Sequence, residues 1–170
     1  GDRTFVGYVL SLLANHALRT GRPQDAARCA DRALEVAPDA TPALLADLYC
    51  VRAEVRARGG DRQASVDDMT KAYRAAERID RCAEPPETRS VDAGLLEGRH
   101  AEMFRVRGEL DSAQAYARAS IVIGRRTYPR GMANRYVVLA NVLLACGELE
   151  QAAAAASDLL TLTEGMESRL

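Results

Sequence analysis

Tryptophan is absent from these 170 residues, and phenylalanine occurs only at Phe5 and Phe104. A core built on large rings is excluded, so apolar burial has to come from small and aliphatic side chains that let backbones approach closely. Lys71 is the single lysine; every other strong base is arginine. Basic and acidic residues nearly cancel, 23 against 24 for a net charge of −1, which argues against a chain-wide nucleic-acid surface. Only two histidines occur, His16 and His100, and no acidic partner stands at a recognised spacing from either. The four cysteines (Cys29, Cys50, Cys82 and Cys146) form no close pair and accompany no histidine cluster. That pattern excludes zinc-finger spacing and a dense disulfide framework, and points to a reduced, cytoplasmic protein. No apolar run has membrane length, and there is no secretory leader. An H-E-x-x-H helix, a phosphate-binding glycine loop and an EF-hand loop are all missing. No metal, cofactor, membrane contact or enzymatic activity is therefore expected.

What the chain does have is punctuation. Gly21, Gly60, Gly108 and Gly147 recur at intervals of 39, 48 and 39 residues, each between two helical patterns. Residues that are mostly small recur downstream of each glycine: Ala26, Ala30 and Ala33; Ser65, Met69 and Ala72; Ala113, Ala117 and Ser120; Ala152, Ala156 and Leu159. Such self-similarity predicts stacked helical hairpins, which bury a continuous core only against one another. The six prolines fall near the predicted boundaries, where a ring without an N–H starts or stops a helix.

The periodicity predicts eight helices. The first covers Val6 to Leu18, with Leu10, Leu13, Ala14 and Ala17 on its buried side. Pro23 opens the second, whose stripe is Ala26, Cys29, Ala30, Ala33 and Leu34. The others are Leu44 to Arg58, Arg62 to Ile79, Val91 to Arg107, Leu110 to Ile123, Ala133 to Cys146 and Leu149 to Leu160. Asp61 reads as an N-cap, and Glu148 and Glu150 place negative charge at a positive helix end. Residues 80–90, with Pro85 and Pro86, form the longest break. Glu148 and Glu150, like the adjacent Asp67 and Asp68, point in different directions on a helix and do not make a catalytic acid pair.

These hairpins resemble tetratricopeptide repeats. The first unit carries Leu13, Ala14, Gly21, Ala26, Ala30, Ala33 and Pro38, and the fourth Leu139, Ala140, Gly147, Ala152, Ala156 and Leu159. Between them, Ala53 with Gly60 and Ala101 with Gly108 mark the second and third. The resemblance implies an all-α, tetratricopeptide-like α-α superhelix of four divergent hairpins, with units at approximately 7–40, 44–80, 91–124 and 133–164 of one 1–170 domain. Spacing exceeds the family's usual repeat of about 34 residues, and Arg52 and His100 stand where the family often has leucine. A finer resemblance links Ala26-Ala27-Arg28-Cys29-Ala30, Arg52-Ala53-Glu54, Gly60-Asp61-Arg62-Gln63, Gly147-Glu148-Leu149-Glu150-Gln151-Ala152 and Ser168-Arg169-Leu170 to the C-terminal repeat regions of actinobacterial helix-turn-helix transcriptional regulators. Gly1 suggests a domain excised from a longer protein, and Glu164 to Leu170 the start of a helix whose remainder is absent.

In such a superhelix the first helix of each hairpin lines the concave face. The expected ligand-binding set is Asn15, Arg19, Glu54, Arg58, Arg99, Glu102, Arg105, Asn134 and Asn141. Asparagine can both donate to and accept from a peptide backbone, and arginine clamps carboxylates through paired N–H groups. Glu54 and Glu102 meet a basic ligand group or neutralise those arginines. The leading expectation is a regulatory, ligand-sensing domain of a bacterial transcriptional regulator, binding a peptide, a small molecule or a partner protein and not nucleic acid. The alternative is a structural scaffold or homodimerisation module without a diffusible ligand, pairing through the apolar residues of the fourth unit.

Overall fold

The computed structural model of the chain describes residues 2–124 and 129–164. Eight helices follow one another in these residues: α1 (Asp2–Arg19), α2 (Pro23–Val36), α3 (Pro42–Arg58), α4 (Arg62–Ala76), α5 (Ala93–Val106), α6 (Leu110–Gly124), α7 (Pro129–Ala145) and α8 (Leu149–Glu164). The expected all-α, tetratricopeptide-like hairpin architecture is what forms. Part of the Gly124–Pro129 junction, and the helix start predicted beyond Glu164, lie outside the described residues.

The four glycines set the geometry. Each adopts a positive φ between 72° and 80°, the left-handed region that a Cβ disfavours. Around Gly21, the Arg22 amide donates to the Ala17 carbonyl at 2.8 Å and the Gly21 amide to Leu18 at 3.2 Å. This six-to-one and five-to-two pairing is the Schellman motif, which satisfies the last carbonyls of a helix. The same two bonds recur at Gly60, from Asp61 to Arg56 and from Gly60 to Ala57. They recur again at Gly108, to Phe104 and Arg105, and at Gly147, to Leu143 and Leu144. The residue after each glycine also starts the next helix. The carbonyls of Arg22, Asp61, Glu109 and Glu148 accept from Ala26, Ser65, Ala113 and Ala152. Asp61 adds a side-chain cap, accepting from the Ala64 amide at 3.1 Å.

Because every turn is alike, positions counted from its glycine are equivalent. Seven residues before and five after it stand small residues: Ala14 with Ala26, Ala53 with Ser65, Ala101 with Ala113, and Ala140 with Ala152. All except the half-buried Ala140 are buried. Ser65 replaces an alanine at no cost in unsatisfied polarity, since its hydroxyl donates to the Ala53 carbonyl at 2.8 Å.

Residues 1–92 make one compact unit and residues 93–170 another. In the first, α1 packs on α2, α2 on α3, α3 on α4, and α1 also on α3. One core cluster joins Ala14, Ala17, Leu18, Ala26, Ala30 and Val51; a second joins Ala33, Ala37, Ala40, Leu44 and Leu48. In the second unit α5, α6, α7 and α8 repeat this arrangement around Ala101, Ala113, Ala117, Leu139, Val142, Leu143, Ala152 and Ala155. Ala156 and Leu159, expected in the stripe, are half-buried, and Ala155 takes the interior position.

The long break is packed rather than slack. Glu84 is buried, and its Oε1 accepts from the Ala43 amide at 2.9 Å while Thr88 donates to Oε2 at 2.7 Å. The start of α3 is thereby fully accounted for. Pro42 has no N–H, Ala43 bonds to Glu84, and Leu44 donates to the Thr41 hydroxyl at 3.4 Å. Thr88, Val91 and Asp92 are buried as well.

One expectation fails in α1. Leu13 was placed on its buried side, yet it is 50% exposed, while Ser11, Ala14, Ala17 and Leu18 face the interior. The helix is apolar on nearly every side, so period alone does not choose the face.

Gly7 marks where α1 approaches most closely: a Cβ there would lie 2.9 Å from the Cβ of Ala37 and 3.4 Å from Leu44 Cδ2. An alanine Cβ cannot swing aside, so backbone would have to move. Gly7→Ala is expected to lower unfolding free energy by about 1–2 kcal/mol, overpacking outweighing the gain in helix propensity. A urea-midpoint comparison checks this, and unchanged or higher stability would contradict the contact.

Candidate functional site

The expected ligand-binding residues fall into separate small groups. On α1, Asn15 is half-buried and its Nδ2 donates to Asp47 Oδ2 on α3 at 3.2 Å and to the Ser11 carbonyl at 3.0 Å. Ser11 is itself buried and donates its hydroxyl to the same Asp47 oxygen. Arg19 is exposed at the end of α1. On α3, Glu54 is buried and takes both Nε and Nη2 of Arg58, at 3.2 and 2.8 Å. On α5, Arg105 grips Glu102 in the same way, at 2.9 and 2.8 Å, and Arg99 is half-buried. Asn134 and Asn141 are exposed on α7. The geometry thus brings together Asn15 with Asp47, Glu54 with Arg58, and Glu102 with Arg105. In the last two, acid and base answer each other one helical turn apart.

A different set of polar side chains carries more of the structure. Asp68, on α4, is fully buried. Arg52 holds it in a fork, Nε to Oδ2 at 2.7 Å and Nη2 to Oδ1 at 2.8 Å, and Arg56 Nη1 adds a contact at 2.8 Å. Arg52 also reaches Asp31 on α2 at 3.1 Å, so one guanidinium ties three helices. The hydrogen bond to Asp68 is the main reason its pKa rises further above the ordinary arginine value. The Arg52 guanidinium and the Lys71 ammonium lie 5.4 and 5.9 Å from the Tyr49 ring centre.

Arg52 and Asp68 stand eight residues before and eight after Gly60. The same two positions around Gly108 hold His100 and Tyr116, with ring centres 4.8 Å apart. Around Gly147 they hold Leu139 and Ala155, both buried. The departures from leucine at Arg52 and His100 are therefore matched by compensating partners across each hairpin. Phe104 stacks on Tyr116 at 5.2 Å, and Arg107 lies over the Phe104 ring at 5.3 Å. Arg107 also pairs with Glu109 at 2.7 Å. Its Nε and Nη1 are buried without a hydrogen-bond acceptor, and the ring face stands in for one. Burial lowers the pKa of His100 to about 4, so at neutral pH it is an uncharged packing residue. In the second unit Gly94 leaves room for a buried guanidinium, because a Cβ there would meet Arg135 Cζ at 2.8 Å.

Among the described residues no three His, Cys, Asp or Glu side chains form a metal-holding group, and no helix is long and apolar enough to cross a membrane. His16 is exposed on α1 and His100 is enclosed by rings. Partial burial, with Glu148 and Asp111 nearby, raises the pKa of Cys146 and disfavours its thiolate. Gln114 donates to both carboxylate oxygens of Glu148 at 3.0 Å. A depression at the start of α6 is lined by Gly108, Glu109, Leu110, Asp111 and Ser112, and its two carboxylates oppose an anion there.

The main anomaly is on the outside of α1. Phe5, Val6, Val9, Leu12 and Leu13 are 59, 46, 38, 50 and 50% exposed. Leu13 occupies the eight-before position, which in the other hairpins is filled by Arg52, His100 and Leu139 against their partners. Other large apolar side chains are exposed in smaller groups: Val66 on α4, Val122 and Ile123 on α6, Val137 and Leu144 on α7 with the polar Asn141 between them, and Leu149 and Leu160 on α8.

No family model and no curated protein matches the chain. Among solved structures it is similar to BtubC (BKLC) from P. vanneervenii, with a TM-score of 0.62 and 17% identity over 100% of this chain and 68% of that one. At that identity the likeness concerns the fold. The expected membership of the tetratricopeptide family, the finer resemblance to helix-turn-helix regulators and the role in transcription regulation are corrected accordingly. The physical reason is visible in the residues that carried them. Gly60-Asp61 and Gly147-Glu148 are turn and helix-start positions, and Ala26, Ala30 and Ala53 are close-packing positions. Any hairpin of this geometry calls for such residues, so they report architecture and not ancestry. Ser168-Arg169-Leu170 lies outside the described residues.

Two expected outcomes follow from the pairs across the turns. Asp68→Ala takes the forked acceptor from Arg52, which keeps only Asp31, and is expected to cost about 2–3 kcal/mol, whereas Arg52→Leu with Asp68→Ala, which approaches the apolar Leu139–Ala155 pair, recovers most of that loss. Denaturant unfolding of the three proteins tests this, and additive losses would contradict it. For His100 the folded pKa, about 4, lies below the ordinary 6.5. The unfolded chain therefore binds the proton first. The stabilisation is complete above pH 6.5, declines as pH falls and is gone below about 4, a change of about 3 kcal/mol. Unfolding midpoints measured down this range should fall less steeply in His100→Phe; identical slopes would contradict the burial.

Proposed function

We propose that the chain is a non-enzymatic scaffold module that joins proteins through its exposed helix faces, with no diffusible ligand at its centre. The carrying observation is the outer face of α1. Every exposed residue between positions 5 and 13 is Phe5, Val6, Val9, Leu12 or Leu13, and all five are apolar. A contiguous apolar stripe of helical width on a folded chain is a surface for another protein. The inner polar groups favour this reading over a sensor. Asn15 and Glu54 hold partners within the first unit and Glu102 within the second. Asn134 and Asn141, exposed on α7, add hydrogen-bonding capacity for the backbone of a partner or an extended peptide.

Native mass spectrometry of the freshly purified chain tests the proposal. Only protein masses are expected, as the chain itself or as protein complexes that Leu12→Glu disrupts and Asn141→Ala does not. A stoichiometric small molecule retained by the wild type and lost in Glu54→Ala or Arg105→Ala would contradict it.

A further inference from the structure

We infer that the partner of the α1 face is a helical hairpin with an alanine-lined second helix, supplied by another protein and seated on α1 as α1 and α2 are seated on α3. The inference rests on the reading of α1 as a protein-contact face and names its occupant. The molecule carries its own template for that occupant. Phe5, Val9 and Leu12 stand 16, 12 and 9 residues before Gly21, and Leu44, Leu48 and Val51 of α3 stand at the same distances before Gly60. The α3 residues are 1, 0 and 0% exposed, against 59, 38 and 50% for those of α1. What covers them is the preceding hairpin, since α3 packs on both α1 and α2. Leu44 and Leu48 share a cluster with Ala33 and Ala37, and Val51 shares one with Ala17, Leu18 and Ala30. The second unit repeats the joint. There α7 packs on both α5 and α6, and Val138, in the position of Leu12, lies against the cluster that holds Ala113 and Ala117 of α6.

The position 12 residues before the turn glycine completes the comparison. It is buried in α3, α5 and α7, as Leu48, Leu96 and Arg135, and open in α1. Phe5, Val9 and Leu12 are therefore one half of a joint whose other half this fold builds twice, each time with alanines on the second helix of a hairpin. Those alanines let the helices approach closely, so the partner hairpin has to present small residues at the same places. No ionised side chain is exposed between positions 5 and 13. An acidic or basic segment would lose its hydration there and gain no counter-charge. In a stacked-hairpin fold each unit is stabilised by the neighbour it packs on, so a hairpin of this chemistry is stabilised by the open seat.

The probe for the test is the chain's own first hairpin. Duplicating residues 3–41 ahead of the whole chain repeats the 39-residue interval from Gly21 to Gly60. The added α2 then meets the original α1 in the register in which α2 meets α3. Methyl NMR with a soluble paramagnetic chelate reads the seating. In the original α1, Val9 and Leu12 should lose their broadening, as side chains passing from 38 and 50% exposure toward the 0% of Leu48 and Val51 do. The same residues of the added, outer α1 should keep it. Ala33→Glu in the added hairpin alone should restore the broadening of the original α1. Circular dichroism shows whether the added helices form, and the unsubstituted tandem decides alone if Ala33→Glu fails to fold. An added hairpin that stays unfolded, or that folds and leaves Val9 and Leu12 of the original α1 broadened, overturns the inference. Protein complexes of the wild type that Leu12→Glu disrupts should also be lost in a tandem carrying Leu12→Glu in its added copy, where the hairpin occupies the one intact seat; their persistence there overturns it too. If the hairpin does not seat while Leu12→Glu still disrupts complexes of the wild type, the scaffold reading stands and the hairpin falls. A hairpin that seats in a chain without Leu12-dependent complexes removes the scaffold reading, and the partner in trans with it.

Discussion

The left-handed glycine at each hairpin turn is the constraint on which the structure depends. One residue ends a helix, satisfies its last carbonyls through the Schellman bonds and hands the chain to a residue that starts the next helix. Since all four turns do this identically, each fixes the same phase between its two helices. The phase then dictates which positions meet. Seven before and five after the glycine stands alanine or serine in every hairpin, which lets the two helices approach closely. In a chain without tryptophan this close approach is how apolar surface is buried at all.

Eight before and eight after the glycine the frame is permissive, and each hairpin answers differently. The second uses a buried ion pair, the third an imidazole against a phenol ring, the fourth a leucine against an alanine. Each answer balances locally: Asp68 is buried but gripped by two arginines, and His100 is buried but uncharged. In the first hairpin Leu13 and the half-buried Cys29 occupy these positions, and Leu13 remains half in solvent. The other hairpins expose one or two large apolar side chains on a helix, whereas α1 gathers five on one stripe, and the functional reading grows from that difference.

Much of the fold was legible because glycine and alanine leave residue-specific marks. Few other residues tolerate a positive φ, and few are small enough for the crossing points. The Asp61 cap was equally readable, being local in sequence. The ion pair at Asp68 was not, because Arg52 lies 16 positions away and many arginines compete for the role. Nor was the capping of α3 by Glu84, 41 residues on from the amide it accepts. The expected ligand-binding residues were nameable from hairpin order, but order does not reveal that Glu54 and Glu102 are already held by Arg58 and Arg105. The exposed face of α1 was obscured for the opposite reason. With apolar residues on most of its sides, the helix offered no periodic contrast from which to choose the interior.

The central claim is that α1 presents a protein-contact face and that the rest of the module supports it. The most direct measurement is methyl NMR of the valine and leucine side chains when the chain binds another protein, whether a second copy or a different one. The account predicts that resonances of Val6, Val9, Leu12 and Leu13 shift together, while those of Leu149 and Leu160 stay fixed. Binding that shifts Leu149 and Leu160 and leaves the α1 methyls unmoved would contradict it.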